Sequence, residues 1–559
     1  MTLDALAQSF PSFAQARRLQ RSGELDKART AYLDLMDNPV LVAPCLHQLA
    51  EIAAQRGETP RALDLLRQAI RLEPGEPLFR RSLSIALDRS GQAAAALDAL
   101  VDFGCALQAG NNHQEAVPVY QNVLRADASR YAAWANLGTA FALLKNPTEA
   151  ANHLLRAVAL YARRDAGVGE FVGQLLQRLP QGRLNLDMRG TLPPGHPTGT
   201  LEKIEDILTS LGTALGELGC AQQAIACHRM AIKCAPGFAL AHWNLALCLL
   251  ADGQYQEGWS EFEWRWRWPQ FSEIRRHQPL PPWRGEPLAG RCVLVYAEQG
   301  FGDTLQFASL VKRLCDQAEF VIFQVYAPLT RLLHLSFGSE RLQVTSLLPD
   351  PDAAGTEQRI DCAVPLMSLP HLMRLSRAEL PLAQNYLVPD PDDALRWAKK
   401  LDTPAAPRVG IAWAGRPNHQ MDHKRSLPLA ALQAMVDFKG VHWVSLQMGP
   451  RAQEADAMPQ ALAAPLAQSS DFADTAALIS HLDLVISVDT AIAHLAAGMG
   501  KPVWLLLPSV SDWRWGRDDN TTCWYPSVRI FRQLASNNDW AAVIDGVRLE
   551  LVRLFQIAE

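Results

Sequence analysis

A 34-residue repeat in the first half of the chain constrains the fold more than any other feature. Gly23, Gly57 and Gly91 are 34 residues apart, and each is followed five residues later by an alanine. A glycine lets the chain reverse between two helices, and a small residue lets those helices pack closely. The period therefore predicts stacked helix–turn–helix units. The small residue recurs at seven positions: Ala28, Ala62, Ala96, Ala116, Ala150, Ala224 and Gly258.

The period and its small residues resemble tetratricopeptide repeats. The resemblance implies an α-solenoid over residues 1–257, with an insert loop near 182–200 where glycine and proline accumulate. The step from Ala96 to Ala116 is only 20 residues, so one unit there is truncated or fused. Such arrays bind extended partners, which makes a protein acceptor the predicted partner. A packing or oligomerisation module, including a homodimer, stays open as the alternative.

An aromatic-rich connector at 258–286 follows the repeats and begins GWSEFEWRWRWPQF. Trp264, Trp266 and Trp268 alternate with a period of two, which argues against an amphipathic helix. We interpret this segment as a hydrophobic seam that joins the solenoid to the next domain. An aromatic platform for stacking a sugar is the alternative.

The second half of the chain alternates strand-like and helix-like segments. Continuous apolar runs such as RCVLVYA are typical of strands buried on both faces, and their alternation with helices predicts parallel sheets. We predict two Rossmann-like, doubly wound α/β lobes, at 287–390 and at 408–559, the latter with a terminal helix. A proline- and charge-rich linker at 391–407 joins them. Ligands bind at the carboxyl ends of parallel strands, so the cleft between the lobes is the predicted site.

The loop EQGFGD, residues 298–303, follows the first of these strands. Gly300 and Gly302 permit a tight turn that leaves Asp303 near a helix N-terminus, as a helix cap, as a carboxylate base, or as both. Leu305 stands where a dinucleotide-binding loop would have its third glycine, and the next strand lacks the acidic residue that holds a ribose. Both departures argue against an NAD site.

The loop GRPNHQMDHKRS, residues 415–426, follows the first strand of the second lobe. Lys424 and Arg425 stand just before the helix that Pro428 opens. Two cations between a strand and a helix suit a diphosphate group. Alone, this signal is weak, because basic pairs usually decorate a solvated face.

The segment VISVDTAIAHLAAGMGKPVW, residues 485–504, carries the strongest signal. Its strand ends at Asp489, and Thr490 opens a helix whose free N–H groups form an anion site. Thr490 and His494 are four residues apart and therefore share one helix face. This placement favours a functional His494 over a structural one.

Taken in order, AEQGFGDTLQF, the KRS loop and SVDTAIAHLAAGMGKPVW resemble the heptosyltransferase-related, glycosyltransferase family 9-like enzymes, which have the GT-B fold. The resemblance covers about 287–558. The whole chain is similar to bacterial proteins that fuse tetratricopeptide repeats to such a catalytic unit, in which WSEFEWRW, LQ (446–447) and DWRW (512–515) also stand.

This resemblance implies an inverting transfer of sugar from a nucleotide-sugar donor, with Asp303 as the base that deprotonates the acceptor hydroxyl. It implies no metal or other cofactor. Two departures are Ala491, where the family has glycine, and KRSLP, which lacks the family's tryptophan after the lysine. The nucleotide-sugar-binding residues that it implies are Gly300, Gly302, Gly415, Lys424, Arg425, Gln447, Asp489, Thr490, Ala491 and His494.

A metal-dependent transferase would need a D-x-D motif on a strand-end loop. The candidates, Asp350–Pro–Asp352 and Asp390–Pro–Asp392, lie in proline-rich connectors, and we interpret both as linkers.

Composition narrows the remaining function classes. With 53 Lys+Arg against 58 Asp+Glu, the net charge of -5 gives no support to nucleic-acid binding. Scattered cysteines without a CxxC motif, the lack of an export signal and the lack of an 18-residue apolar run predict a cytoplasmic protein without membrane insertion. Two alternatives stay open: an interaction scaffold whose transferase lobes are degenerate, and a transferase that acts on lipopolysaccharide or another cell-surface glycan.

Overall fold

A computed structural model describes most of the chain, which separates into two compact units, Met1–Ala241 and His242–Glu559. The predicted insert loop at 182–200 and the acidic pair at 350–352 lie outside the described residues. The described ranges are 3–179, 203–269, 271, 280–347, 360–381, 384–401, 406–417, 422–457, 466, 471–517, 520–534 and 539–556.

The first unit is helical throughout its described residues, and its helices pack mainly on their neighbours in sequence. This confirms the predicted repeat architecture. The helices are α1 (Leu3–Ser9), α2 (Pro11–Arg21), α3 (Leu25–Asp34), α4 (Val42–Gln55), α5 (Thr59–Leu72), α6 (Pro77–Arg89), α7 (Ala93–Ala109), α8 (His113–Ala126), α9 (Tyr131–Leu143), α10 (Pro147–Tyr161), α11 (Ala166–Arg178), α12 (Ile204–Glu217) and α13 (Ala221–Cys234).

Each repeat turn contains one residue in the left-handed backbone region, five positions before the small residue. Glycine occupies most of these turns, as at Gly57, where φ is +77°. Asn111 and Lys145 take the same position with φ of +63° and +61°. The turn conformation is therefore retained where the glycine is not.

The short step between Ala96 and Ala116 reflects a fused unit. The single helix α7 packs against both α6 and α8, so it closes one helix pair and opens the next. Ala96 and Ala116 are both buried, as close helix packing requires.

The second unit contains α14 (Ala239–Ala251, whose first three residues belong to the first unit), α15 (Tyr255–Phe262) and a 3₁₀ helix at Glu263–Arg267. The tryptophan-rich segment thus forms a helical turn, against the expectation from its period of two. A 3₁₀ helix has three residues per turn, so alternate residues point in different directions. The ring of Trp264 stacks on that of His242, with 3.6 Å between the ring centroids, whereas Trp268 packs on Trp243.

The first lobe is a four-stranded parallel sheet with strand order β3-β2-β1-β4, and it confirms the predicted strands. β1 is an interior strand at which the direction of winding reverses, so the loop after it lies at a switch point. The elements are β1 (Cys292–Tyr296), α16 (Phe301–Cys315), β2 (Phe320–Gln324), α17 (Ala327–Phe337), β3 (Leu342–Thr345), β4 (Cys362–Pro365) and α18 (Leu369–Leu372).

The predicted linker at 391–407 contains a helix, α19 (Pro391–Lys400). The proline and acids that suggested a connector form its N-terminus: the Asp390 carboxylate accepts the backbone N–H of Asp392 at 2.9 Å. Trp397 anchors the helix, since it is buried and donates its ring N–H to Asp474 at 2.9 Å. Asp390 also pairs with Arg331 at 3.2 Å.

The second lobe is a five-stranded parallel sheet with strand order β6-β5-β7-β8-β9. Its winding reverses at β5 and β7, so the loops after these two strands also lie at a switch point. The elements are β5 (Arg408–Ala412), α20 (Asp422–Arg425), α21 (Leu429–Val436), β6 (His442–Ser445), α22 (Phe472–Ile479), β7 (Leu484–Val488), α23 (Ala491–Gly498), β8 (Val503–Leu507), β9 (Val528–Arg532) and α24 (Ala541–Phe555).

Among the residues that the structure describes, no helix is both long enough and apolar enough to cross a bilayer.

Candidate active site

The loop after β1 holds Asp303 by two contacts. Asp303 is the third residue of α16, and its Oδ2 accepts the backbone N–H of Gly300 at 2.7 Å, which closes the start of the helix. Its Oδ1 forms an ion pair with Arg514. The carboxylate therefore serves as the predicted helix cap and also faces the second lobe, whereas its role as a base stays a prediction.

Arg514 was not among the predicted site residues, although the string DWRW that contains it is the available signal. It lies in a 3₁₀ turn, Trp513–Trp515, between β8 and β9. Its Nε donates to Gln306 at 2.8 Å and its Nη1 donates to Asp512 at 2.7 Å. Because Gln306 and Asp303 belong to the first lobe, this one guanidinium ties the two lobes together beside the candidate base.

The loop after β7 leads into the N-terminus of α23. Thr490 precedes the helix and its side chain makes no capping hydrogen bond; its hydroxyl lies 3.1 Å from that of Ser487. Ala491 is the first helical residue. The first N–H groups of α23 are therefore not capped by Thr490, which is the condition for anion binding at a helix start.

His494 is a buried residue on α23. Its Nδ1 lies 2.9 Å from the hydroxyl of Tyr525, and its ring stacks on Trp515. Burial lowers the pKa of His494 to about 3, helped by the nearby charges of Arg514 and Arg425. His494 is therefore neutral near pH 7, and its role with a ligand stays a prediction.

The first-lobe loop touches α23 through a glycine. A Cβ atom at Gly302 would lie 2.9 Å from Cδ2 of His494 and 3.4 Å from its Nε2. Real Cβ atoms essentially never approach so closely, so the absence of a side chain at Gly302 lets the two predicted loops meet.

Asp489, at the end of β7, is partly buried and surrounded by charge. Burial, together with the Asp512 carboxylate, raises the pKa of Asp489 to about 6 against the opposing effect of Arg425 and Arg514. Arg425 is thereby placed near Asp489 and His494. It also pairs with Asp422 at 3.3 Å.

Gly415 and Lys424 complete the second-lobe loop. Arg425 and Asp422 occupy the space where a side chain at Gly415 would stand. Lys424 precedes Arg425 on the one-turn helix α20 and is partly exposed. Its role with a donor diphosphate stays a prediction.

Two protein-family models match parts of the chain. Residues 406–532 match the family model Glycosyltransferase family 9 (heptosyltransferase), and residues 47–102 and 101–165 match a tetratricopeptide repeat model. The chain joins tetratricopeptide repeats to a glycosyltransferase family 9 domain. Both predicted resemblances are confirmed.

Individual relatives cover parts of the chain. Protein FlbA of Caulobacter vibrioides is 28% identical over 318 residues, which are 52% of this chain and 52% of FlbA, so the chain spans about half the length of this curated relative. The ADP-heptose LPS heptosyltransferase II of E. coli is 15% identical, with a TM-score of 0.35, over 48% of this chain and 99% of that one. MamA from Desulfovibrio magneticus RS-1 is 17% identical, with a TM-score of 0.20, over 42% and 97%.

Within the family 9 domain, Gln447 supports the loop that carries Gly415. Its Oε1 accepts the backbone N–H groups of Trp413 and Ala414 at 3.0 and 2.9 Å, and its Nε2 donates to the carbonyl oxygens of Ala414 and Met448. The structure thus places this predicted nucleotide-binding side chain on the backbone of the loop.

A buried ion pair precedes the Gly300–Asp303 loop of the first lobe. Arg265 and Glu298 are both fully buried, and Nη2 of Arg265 donates to Oε1 of Glu298 at 2.8 Å. Glu263 and Ser368 also accept hydrogen bonds from this guanidinium. Sequence analysis did not select Arg265, although the string WSEFEWRW contains it. Its ion pair fixes Glu298, which lies just before the Gly300–Asp303 loop.

No group of three or more His, Cys, Asp or Glu side chains able to hold a metal occurs among the described residues. The expected independence from metals stays a prediction.

Proposed function

We propose that the chain is an inverting, metal-independent glycosyltransferase that moves a sugar from a nucleotide-sugar donor to an acceptor hydroxyl. One observation carries the proposal: at the carboxyl ends of both parallel sheets, Asp303 of the first lobe pairs with Arg514 of the second, and the neighbouring Gly302 lies against His494. Ligands of doubly wound sheets bind at such ends.

The donor diphosphate belongs on the second lobe. The N-terminal N–H groups of α23, with Arg425 and Lys424, supply the positive potential that a diphosphate needs. A neutral His494 that accepts a hydrogen bond from the Tyr525 hydroxyl at Nδ1 carries its own proton on Nε2. This N–H group lies toward Gly302, where it can donate a hydrogen bond to the nucleotide sugar. Positive groups fixed around a departing diphosphate stabilise the charge that develops there.

The acceptor belongs beside Asp303. Its hydroxyl gives its proton to the Asp303 carboxylate while its oxygen attacks the anomeric carbon of the donor sugar. The bond from that carbon to the diphosphate oxygen breaks, and its electron pair leaves with the nucleoside diphosphate. A carboxylate in this place acts as the general base.

The repeats make a protein the proposed acceptor. Helical repeat arrays bind extended segments of other proteins, and the first unit consists of such helices throughout its described residues. This step rests on architecture, which by itself does not fix function.

A transfer assay tests the proposal. Purified protein is incubated with UDP-, GDP-, ADP- and dTDP-sugars, and either a protein fraction or a lipid fraction supplies the acceptor. The release of nucleoside diphosphate and the mass of the acceptor are both measured. We expect one donor class and a gain of one sugar mass on a protein, which Asp303→Asn abolishes. Gain on lipid alone would favour the cell-surface glycan alternative, and nucleotide binding without transfer to any fraction would favour the scaffold.

A further inference from the structure

A small cavity lies beside the candidate base, on the other side of Arg514. Its volume is ≈ 170 Å³, which suits an ionic group or one sugar ring and is below the usual size of a site for a drug-sized ligand. Its buried lining residues include Tyr255, Arg514 and Trp515. At its rim, Arg377 is exposed and Arg517 is partly exposed. Thr521 and Thr522 add hydroxyl groups to the lining.

The lining is rich in positive charge. The lining contains three arginines and one carboxylate, Asp252, which accepts a hydrogen bond from Gln254 at 2.7 Å. Arg514 is also paired with Asp303 and Asp512.

Arg514 has N–H groups to spare for a ligand. A guanidinium carries five N–H donors, and three of them reach Gln306, Asp512 and Asp303 within the described part of the chain. The other two belong to the fork-shaped end of the side chain, whose geometry matches two oxygens of one carboxylate or phosphate. The residue that pairs with the base thus also lines the cavity.

We propose that this cavity binds an anionic group of the acceptor, a carboxylate or a phosphate, which places the acceptor hydroxyl beside Asp303. The proposal rests on the proposed transferase function. The donor diphosphate has its own binding groups, which are Lys424 and Arg425 on α20 and the N–H groups at the start of α23. The cavity shares Arg514 and Trp515 with the surroundings of His494.

Three sugars that differ in one group test the binding. D-glucuronate, D-glucose 6-phosphate and D-glucose are titrated calorimetrically into the full chain at low salt. We expect millimolar binding of at least one anionic sugar and none of glucose. Equal binding of glucose, or no binding of either anionic sugar, overturns the proposal; a preference between the two anionic sugars identifies the group as carboxylate or phosphate.

Variants locate the binding. The double variant Arg377→Gln/Arg517→Gln removes two rim charges and should weaken anionic-sugar binding about tenfold or more, because charge-assisted hydrogen bonds are lost. Arg529→Gln is the matched control, since Arg529 pairs with Glu550 at 2.7 Å and does not line the cavity. Unchanged affinity in the double variant, with its melting temperature equal to that of the wild type, contradicts the assignment.

Nucleotide binding separates this proposal from the transferase proposal. The same double variant should bind nucleotides as the wild type does. If the wild type binds an anionic sugar in this cavity but no nucleotide, the cavity stands and the transferase proposal fails; if it binds nucleotide but no anionic sugar, the reverse holds.

Discussion

The carboxylate of Asp303 joins three functions in one side chain. Its Oδ2 closes the start of α16 through Gly300, its Oδ1 pairs with Arg514 of the other lobe, and the proposed mechanism asks it to accept a proton. Arg514 is therefore the residue that most directly couples the two lobes to the base.

Asp303→Asn should separate chemistry from binding. An amide keeps an oxygen for the Gly300 N–H group but cannot accept the hydroxyl proton, so turnover should fall by about 100- to 10,000-fold. Nucleotide affinity should stay near that of the wild type. Asp316→Asn, at the exposed end of the same helix, is the control. A turnover close to wild type in Asp303→Asn would remove Asp303 from the mechanism.

Arg265→Met should be strongly destabilising. It leaves the fully buried Glu298 without its cation, and breaking a buried ion pair costs about 3–5 kcal/mol. Adding Glu298→Gln should recover part of this free energy of unfolding, because the uncompensated charge is removed. Arg267→Met, which loses only an exposed contact over the Trp264 ring, should cost less than about 1 kcal/mol. Denaturant unfolding of the three variants measures this, and similar losses for Arg265→Met and Arg267→Met would contradict it.

At the scale of elements, the repeat turns keep the left-handed backbone conformation even where the residue is not glycine. Lys145 keeps the left-handed φ of the turn without being glycine. A left-handed conformation costs a residue with a Cβ roughly 1–2 kcal/mol.

Lys145→Gly should therefore raise the free energy of unfolding by about 1 kcal/mol, offset in part by the entropy of glycine in the unfolded chain. Gly57→Lys is the matched reverse change, since φ at Gly57 is +77° and a Cβ there meets nothing within 4 Å. It should lower the free energy by a similar amount. Chemical denaturation followed by circular dichroism compares them, and a destabilising Lys145→Gly would show that the turn is not strained.

Periodicity and apolar runs predicted most elements, because helix and strand formation depends on local patterns. The apolar run RCVLVYA, for example, contains β1 (Cys292–Tyr296). α19 was missed because a proline and acids at a helix start look like a connector until their capping is seen. The helical turn at Glu263–Arg267 was missed because its tryptophans pack on separate partners.

The candidate site was predictable only in part. Gly302 lies against His494 because glycine has no side chain, and the sequence alone does not reveal this contact. Arg514 and Arg265 act on residues more than thirty positions away in the sequence, and such contacts follow from the tertiary fold. Gln447 was selected by resemblance, and its hydrogen bonds to backbone became visible only in the fold.

At the scale of the molecule, burial of histidines should make stability depend on pH. Burial lowers the pKa of His228 in the first unit to about 4 and that of His494 in the second to about 3, against an ordinary value of 6.5. Below pH 6.5 these histidines bind protons in the unfolded chain but stay neutral in the native chain. Stability is thus lost as the pH falls through this window.

His228→Gln should flatten this dependence. Between pH 6.5 and 5, one such histidine accounts for about 2 kcal/mol of lost stability. A loss of packing in the variant acts at every pH, so the measured quantity is the change in unfolding free energy from pH 7.5 to 5 and not its absolute value. His423→Gln, at an exposed position, should leave the pH dependence unaltered. An equal pH dependence in wild type and His228→Gln would mean that His228 titrates normally.

The central claim is that the second lobe binds the diphosphate of a nucleotide sugar, and calorimetric titration with UDP-, GDP-, ADP- and dTDP-sugars tests it most directly. The wild type should bind one nucleotide class, and Lys424→Ala/Arg425→Ala should lose that binding because the diphosphate loses its cations. Lys439→Ala, an exposed lysine of the same lobe, should bind as the wild type does. Equal affinity in the wild type and the double variant, or no binding of any nucleotide sugar, would contradict the account.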